Sequence, residues 1–298
     1  MATSLGANQY GKAEVRVVRV HRDGDTHSLK DLNVSITLSG DLEAVHTTGE
    51  NANVVPTDTQ KNTVYAFAKD GIGAIEAFAL RLGRHFAARF ASIGRARVHV
   101  EEYSWARLEV DGSPHPHAFR RAGNEVRTAT AVCDAEGEWV LSGLADLVVL
   151  KSTGSEFTGF IEDAYTTLAP ATDRILATAV SARWRHAGNA TEDWDASFAA
   201  SRELMLEAFA RTHSLSLQQS LHAMATAAID GRPEVVEVRM SMPNKHHFAV
   251  DLSPFGLENP NEVFHADDRP YGLIEAAVQA DDAPAAGPAW DPYPLLPG

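Results

Sequence analysis

The chain contains very little cysteine. Its single thiol, Cys133, cannot form an intrachain disulfide, so the fold must be stable without cross-links, as is typical of reducing compartments. Cys133 lies in a stretch of alternating apolar and polar residues, and we interpret it as a packing residue rather than a nucleophile. No apolar run is long enough to cross a bilayer, residues 1–8 lack the apolar core of a signal peptide, and residues 295–298 are no peroxisomal address. These absences predict a cytoplasmic protein.

The chain is also poor in positive charge. Lysine and arginine together number 26 against 40 aspartates and glutamates, which gives a formal net charge of −14 at pH 7. Nucleic acids and anionic membranes need a basic surface, so neither is an expected partner. An anionic small molecule could still bind where local cations and helix ends outweigh the overall field. With 298 residues, 44% hydrophobic and 22% charged, the chain predicts an ordinary globular protein of about two domains.

The usual cofactor and metal motifs are absent as well. Residues 71–73 are Gly-Ile-Gly, but Glu76 stands where the third glycine of a dinucleotide loop belongs. The sequence has no Walker-type phosphate loop and no Gly-x-Ser-x-Gly elbow. His115 and His117 offer two imidazoles, but spacing fixes no further ligand, and a solvated loop explains them better than a metal site. An enzyme with this sequence would therefore use acid–base steps, or a substrate that supplies its own redox chemistry, without a metal or organic cofactor.

Periodicity predicts the same order of elements in both halves of the chain. Strands alternate apolar and polar residues, as residues 32–38 do, whereas helices repeat apolar residues every three or four positions. The first half predicts strands at 12–21, 32–38, 97–103 and 125–133, helices at 57–69 and 75–90, and a loop containing Gly112, Pro114, Pro116 and Gly123. The second half predicts strands at 144–151, 176–184, 235–241, 247–252 and 273–278, and helices carrying residues 198–209 and 217–228.

Two strands, two helices and two strands in each half favour antiparallel sheets with helices on one face, which is an α+β fold. We expect a first domain at residues 1–136, a second at 137–280, and a mobile tail rich in proline and alanine at 281–298. The long connection between residues 151 and 175 is rich in polar and aromatic side chains, and we interpret it as a binding surface.

An extended stretch at residues 54–56 ends where a helix is predicted to begin. Thr57 and Gln60, three residues apart, have the spacing of a capping box, with the N–H groups of this turn pointing outward. Such a terminus carries partial positive charge and suits an anionic ligand. Most capping boxes only start a helix, so the spacing alone does not establish a site.

Seven short segments carry further information through their order along the chain. They are 8–12 (NQYGK), 57–63 (TDTQKNT), 150–157 (LKSTGSEF), 172–176 (TDRIL), 216–218 (SLQ), 243–248 (PNKHHF) and 271–274 (YGLI). Together they resemble the urate oxidase (uricase) family, and the resemblance covers nearly the whole chain except the tail. The departures from the family pattern are Ala179 for an acidic residue, His222 for tyrosine, and the proline-rich tail. They concern stability or assembly more than chemistry.

The resemblance implies the tunnelling fold (T-fold) twice in tandem, each domain being a four-stranded antiparallel sheet with two helices on one face. It also implies a homotetramer whose sheets close into barrels around a tunnel, with active sites between subunits. The implied reaction is the oxidation of urate by dioxygen to 5-hydroxyisourate and hydrogen peroxide, without a cofactor. Urate, dioxygen and water would be the small-molecule partners, and electron-rich urate would itself pass electrons to oxygen.

The resemblance, carried over residue by residue, implies a substrate site. Arg174 would pair with the planar anion through its guanidinium fork, and Gln218 would supply both a donor and an acceptor to the heterocycle. Phe157 would stack on the ring face. Three further contacts are implied, the first two through backbone N–H groups at helix starts and the last through an apolar side chain: Asp58, Leu217 and Ile274.

The resemblance also implies a catalytic pair, Lys12 and Thr57, contributed by the neighbouring subunit. A buried lysine amine can lose its proton and act as a base, and a hydroxyl can relay protons to the substrate. His246 would extend this relay, since imidazole titrates near neutral pH. Asn244 together with Thr57 would hold dioxygen, and later the attacking water, above the ring.

Each of these residues also has an ordinary explanation. Arg174 could form a surface salt bridge, Phe157 could pack in a core, Thr57 could cap a helix and Lys12 could be a solvated strand residue. Their co-occurrence in family order favours the functional interpretation. Two alternatives remain open: another tunnelling-fold purine or pterin enzyme such as a cyclohydrolase, which would need zinc ligands, and a catalytically silent purine-binding tetramer. The silent binder would need only Arg174, Gln218 and Phe157.

Overall fold

A computed structural model describes residues 3–191 and 193–292, which form two compact units. The first unit comprises the chain up to Gly143, Arg185–Asp195 and the described residues from Pro284 onward. The second comprises Leu144–Trp184 and Ala196–Ala283. The limits expected above for the two domains and the tail stay predictions, since compact units and domains need not share boundaries.

The first unit consists of strands and helices in the predicted order, with one short extra helix. Its elements are β1 Tyr10–Asp23, β2 Thr26–Gly40, α1 Glu43–Thr47, α2 Thr57–Lys69, α3 Ile75–Arg89, β3 Ile93–Val110 and β4 Ser113–Asp134. The strands are antiparallel neighbours in the order β1-β2-β3-β4. Alternation explains the core, because the apolar residues of β2 at 32, 34, 36 and 38 are fully buried together with Phe78 and Phe86 of α3.

Cys133 lies in the core of the first unit. Only 2% of the residue is exposed, and burial raises the pKa of its thiol to about 12. A Cβ atom added to Gly83 of α3 would lie 2.8 Å from the Cys133 sulfur, so the helix approaches the strand closely here. The interpretation of Cys133 as a packing residue is confirmed.

The second unit repeats the order of two strands, two helices and two strands, with a small hairpin inserted. Its elements, some of which begin or end in the first unit, are β5 Glu138–Lys151, β6 Leu176–His186, α4 Trp194–Arg211, α5 Leu217–Gly231, β7 Val235–Pro243, β8 His246–Ala249, β9 Phe264–Asp267 and β10 Leu273–Gln279. Neighbouring strands within this unit follow the order β5-β6-β7-β10. Both helices share one apolar core with the sheet, which includes Trp184, Met205 and Met224. The predicted α+β fold is confirmed in both units.

The loop predicted between residues 112 and 123 is wrong. β3 and β4 continue through this region as a hairpin whose turn is Asp111-Gly112, with φ of +52° and +74°. An Asp-Gly pair in the left-handed region is the favoured two-residue hairpin turn. Pro114 lies opposite Glu109 at the end of the hairpin, where a missing N–H is tolerated.

The strand predicted at 247–252 is shorter than expected and does not belong to the main sheet. β8 pairs with β9 in a separate two-stranded sheet, with His246 opposite Asp267. β10 pairs with β7 instead and completes the sheet of this unit, with Ile274 opposite Met242. Within the described ranges, no helix combines the length and the apolar character needed to cross a membrane.

The mobile tail predicted from residue 281 is wrong for residues 284–291, which pack on the first unit. A short 3₁₀-helix at Gly287–Trp290 buries Ala289 completely. Arg97 of β3 donates to the carbonyl of Pro288 at 2.8 Å, and Arg95 forms a 2.9 Å ion pair with Asp291. Composition predicted disorder because it does not reveal these distant partners. Residues 293–298 of the predicted tail lie outside the described residues.

Candidate active site

The N-terminus of α2 is exposed, but it is not built as a capping box. Pro56 occupies the N-cap position without a side-chain cap, and Thr57 is the first helical residue. The Gln60 amide instead donates to the carbonyl of Val55 at 3.2 Å. The capping-box prediction is therefore wrong, because proline, with its φ of −53°, takes the cap position. Among the described residues, no hydrogen bond engages the Thr57 hydroxyl, which stays available for other partners.

The same terminus still offers free backbone donors. The first hydrogen bond of α2 runs from the Gln60 N–H to the Pro56 carbonyl at 3.1 Å. The N–H groups of Thr57, Asp58 and Thr59 precede it and have no acceptor within the helix. All three residues are exposed. The expected donor at the Asp58 backbone is thus located where the resemblance implies it, and its role in binding stays a prediction.

Lys12 lies in β1, half-buried, beside the beginning of α2. The phenol oxygen of Tyr10 accepts from the Val55 N–H at 2.8 Å and donates to the Val55 carbonyl at 3.1 Å. This double contact joins β1 to the segment that leads into Thr57. A hydrogen bond from Lys61 is the main reason that the pKa of Asp58 lies below its usual value, and the nearby charge of Lys12 contributes to the same shift. Lys12, Thr57 and Asp58 therefore share one neighbourhood in the first unit.

A glycine is required beside Lys12. A Cβ atom at Gly11 would lie 1.8 Å from the carbonyl oxygen of Ile36, closer than any packing permits. We expect Gly11→Ala to push β1 away from β2, to lower the free energy of unfolding by about 1–3 kcal/mol, and to reduce activity with it. Thermal unfolding measures the effect, and Gly6→Ala is the matched control because nothing lies within 4 Å of that position. Equal melting temperatures for the two variants would contradict the close approach.

In the second unit, residues 154–157 lie between two other segments and hold them together. The Arg174 N–H donates to the Ser155 carbonyl at 2.8 Å, and Phe157 exchanges two backbone hydrogen bonds with Ala171. On the other side, the Glu156 N–H donates to the Ser214 carbonyl at 2.8 Å. The long connection between β5 and β6 is therefore fixed at both of its ends, which brings Arg174 and Phe157 close to the chain that enters α5. Its role as a binding surface stays a prediction.

Arg174 carries an unsatisfied cationic group. Its Nε atom is buried without a hydrogen-bond partner, and among the described residues no carboxylate lies within ion-pair distance of it. Burial lowers the pKa of its guanidinium from the usual value. The guanidinium carbon lies 5.1 Å from the centre of the Phe157 ring, which is itself stacked on Phe160 at 5.1 Å. A half-buried arginine without an anion, beside an aromatic face, suits a planar anionic ligand.

The N-terminus of α5 presents a second set of free donors. Ser216 caps the helix by accepting from the Gln219 N–H at 3.2 Å, and the Ser220 N–H is the first to bond within the helix. The N–H groups of Leu217 and Gln218 have no such acceptor. The Leu217 side chain is buried and anchors the turn, whereas the Gln218 side chain is exposed. The prediction of a helix start at Leu217 is confirmed, and its contact with a ligand stays a prediction.

Three expected site residues lie near strand ends in the second unit. Asn244 directly follows β7, Ile274 is the second residue of β10, and His246 is the first residue of β8. The Asn244 N–H donates to the Gly272 carbonyl at 2.8 Å, and the Lys245 N–H donates to the carbonyl of Ala177, three residues after Arg174. These bonds connect Asn244 and Ile274 to the segment that carries Arg174. His246 is half-buried, with its ring stacked on Phe248 at 5.6 Å. Of these three residues, His246 lies in the separate two-stranded sheet of β8 and β9 rather than in the main sheet.

The structure divides the expected site residues into two groups. Lys12, Thr57 and Asp58 meet in the first unit, and the remaining residues lie on connected segments of the second unit. Sequence reasoning assigned no role to the residues that hold these groups in place, notably Tyr10, Val55, Ser155, Ser214 and Ser216. Their signals are weak, because a tyrosine or serine that bonds to a distant backbone group leaves no periodic pattern.

His115 and His117 lie in β4 near the hairpin turn. Their ring centroids are 4.6 Å apart, and His27 lies 5.7 Å from His117. Across the part of the chain that the structure describes, no group of three histidine, cysteine or acidic residues is arranged to hold a metal ion. These two histidines therefore lie in a strand of the β3-β4 hairpin and not in the solvated loop that the sequence predicted.

Two units, each with a four-stranded antiparallel sheet and two long helices packed against it, define a tunnelling-fold protein. A family model described as Uricase matches residues 8–132 and 140–275, so the chain belongs to the uricase family. The uricase of Arthrobacter globiformis is 55% identical over 287 residues, covering 96% of this chain and 93% of that protein. The uricase of Oryctolagus cuniculus is 38% identical, covering 91% and 92%.

Solved structures agree with this family assignment. A crystal structure of the uricase from Arthrobacter globiformis superposes with a TM-score of 0.92 at 54% identity, covering 97% of this chain and 99% of that chain. A uricase structure from Bacillus fastidious superposes with a TM-score of 0.78 at 26% identity, covering 92% and 94%. The resemblance in the seven short segments is therefore confirmed at the level of family and fold.

Proposed function

We propose that this chain catalyses the oxidation of urate by dioxygen, without a cofactor, to 5-hydroxyisourate and hydrogen peroxide. The reaction balances as urate, dioxygen and water giving 5-hydroxyisourate and hydrogen peroxide. Urate loses two electrons to dioxygen, and water then adds to the oxidised ring. The polypeptide binds the urate anion in one orientation and moves protons. The observation that carries this proposal is the half-buried Arg174, whose Nε has no partner among the described residues and whose guanidinium lies against Phe157.

Binding would use the residues of the second unit. The Arg174 fork donates two hydrogen bonds to one edge of urate, and the Gln218 amide pairs with another edge. Phe157 stacks on the ring, and Ile274 closes the apolar side of the pocket. The free N–H of Leu217 completes these contacts at the positive end of α5.

Catalysis would use Lys12 and Thr57 from a neighbouring protomer of a homotetramer, where the Asp58 N–H also meets the substrate. Lys12 accepts a proton that the Thr57 hydroxyl relays from urate, and His246 extends the relay. Asn244 and Thr57 hold dioxygen and later water above the ring. Support for a relay through Thr57 comes from its exposed hydroxyl, which no cap occupies.

We also propose a cytoplasmic location, which the single free thiol of Cys133 permits.

The direct test adds urate to air-equilibrated, metal-free protein. Urate absorbance should fall while hydrogen peroxide accumulates in equal amount. Omitting dioxygen should stop both changes. Binding of urate without its consumption would instead identify a silent purine-binding protein and would overturn the proposed activity.

Activity is expected to survive exhaustive chelation, because every step assigned above uses side chains, backbone N–H groups and the substrate's own electrons. The measurement compares turnover before and after dialysis against a strong chelator, with the metal content determined in the same samples. Loss of activity that returns with one added metal would contradict the assignment. That result would support a metal site at His115 and His117.

A further inference from the structure

The strand that carries Lys12 contains a β-bulge directly after it. Lys12 lies opposite Ile36 and Val15 lies opposite Val34, so Ala13 and Glu14 together face one residue, Ser35. The extra residue changes which side chains point toward the helices. Tyr10 and Lys12 face that side before the bulge, and Val15, which is buried in the core, faces it afterwards. Without the bulge, Lys12 and Val15 could not lie on the same face.

A side chain holds this bulge in place. The N–H of Glu14, which cannot join the regular ladder, donates to the Ser35 hydroxyl at 3.0 Å. Glu14 has a φ of +56°, a left-handed conformation that costs free energy for a residue other than glycine. The bond to Ser35 therefore compensates a strained position two residues from Lys12.

The other side of Lys12 is held by Tyr10. Its phenol oxygen contacts both the N–H and the carbonyl of Val55, two residues before Thr57. Val55 is buried, so its N–H would be left without the phenol oxygen as acceptor if this hydroxyl were removed. The Gln60 amide also donates to the Val55 carbonyl, which ties the same point to the first turn of α2.

We propose that Tyr10 and Ser35 are positioning residues that hold the Lys12 side chain at the Thr57 end of α2. The proposal rests on the function proposed above, since it assigns these residues to the placement of the proton relay. Tyr10 sets the distance between β1 and α2, and Ser35 sets the direction in which the strand presents Lys12. A shift of about 1 Å in a catalytic group can lower turnover about 100-fold, so small changes at these hydroxyls should be measurable.

The test removes each hydroxyl with the shape retained, as Tyr10→Phe and Ser35→Ala, in the natural chain and in the Lys12→Met background. In the natural chain we expect kcat to fall about tenfold, with the KM for urate changed less than about twofold. In the Lys12→Met background neither change should lower kcat further, because both residues act through Lys12. Ser35→Thr, which keeps a hydroxyl, should restore kcat.

The matched control is Tyr103→Phe. It deletes the same phenol oxygen from the same unit, where Tyr103 donates to Glu101 at 3.0 Å, and kcat should not change. Unchanged kcat in Tyr10→Phe and Ser35→Ala, or the same loss with and without Lys12, would overturn the proposal. A lower melting temperature with full kcat below it would show a merely structural role and would overturn it too.

A second measurement does not depend on urate. The rate of Lys12 acetylation by acetic anhydride, followed by mass spectrometry, should rise several-fold in both variants, whereas that of the exposed Lys69 should not. Equal Lys12 rates would overturn the positioning even if the natural chain consumed no urate. Absence of urate consumption by the natural chain would refute the proposed function alone, so the two failures are distinguishable.

Discussion

Replacing Arg174 with alanine is expected to raise the KM for urate about 100-fold, with a smaller decrease in kcat. Two hydrogen bonds from a cation to an anion contribute about 3 kcal/mol or more together, and alanine removes both. Arg174 has no ion pair to lose among the described residues, so the change leaves no buried carboxylate unpaired. Steady-state kinetics with urate under saturating dioxygen measures the effect, and equilibrium binding of a non-oxidised purine anion checks it without turnover.

Two variants sharpen the Arg174 result. Arg174→Lys keeps the charge without the planar fork, and we expect a KM between those of alanine and arginine. Arg211→Ala removes an exposed arginine of α4 that pairs with Glu207, and it should leave the KM unchanged because such surface pairs contribute little. An unchanged KM in Arg174→Ala would count against this residue as the anion partner.

Lys12→Met is expected to lower kcat about 100-fold or more with little change in the KM for urate. Methionine has a similar length and no proton to exchange, so it removes the proposed general base while it preserves packing along β1. Pre-steady-state and steady-state kinetics at several pH values separate binding from the proton-transfer step. Lys12 is half-buried beside Asp58, so the substitution should not disturb the core.

The control for Lys12 is Lys69→Met at the end of α2. Lys69 is exposed and lies in the same unit, so its replacement changes the net charge identically without touching the site. Its kcat should equal that of the natural chain. Full turnover in Lys12→Met would remove the pair of Lys12 and Thr57 from the mechanism, whatever the behaviour of the control.

Much of the fold could be predicted from local pattern. Alternating apolar residues at 32–38 identified β2, and apolar residues at helical spacing from Ile75 identified α3, because one buried face imposes those periods. The hairpin at 111–112 was missed although its signal is local, because glycines and prolines at 112–123 predicted a loop and the Asp-Gly pair was not interpreted as a hairpin turn. The capping box was misassigned because threonine is a favoured N-cap residue, whereas Pro56 takes that position in the structure and Thr57 is the first helical residue.

The candidate site depended on motif order rather than on periodicity. Phe157, Arg174 and Gln218 carry no pattern of their own, and each has an ordinary structural explanation. Their family order made them candidates, and the unsatisfied Nε of Arg174 then supplied a physical reason that no sequence could show. The packing of residues 284–291 was not predicted, because their composition resembles that of a disordered tail.

Local periodicity and the linear order of short motifs were sufficient to predict most of the element order, the α+β class and the family, and to indicate candidate site residues. The contacts that organise those residues came from the folded chain: Tyr10 with Val55, Ser35 with Glu14, and residues 154–157 between 171–174 and 213–214. The partners in each of these contacts lie far apart in the sequence. Their hydrogen bonds depend on how strands and helices pack in space, and local sequence preferences do not encode that proximity.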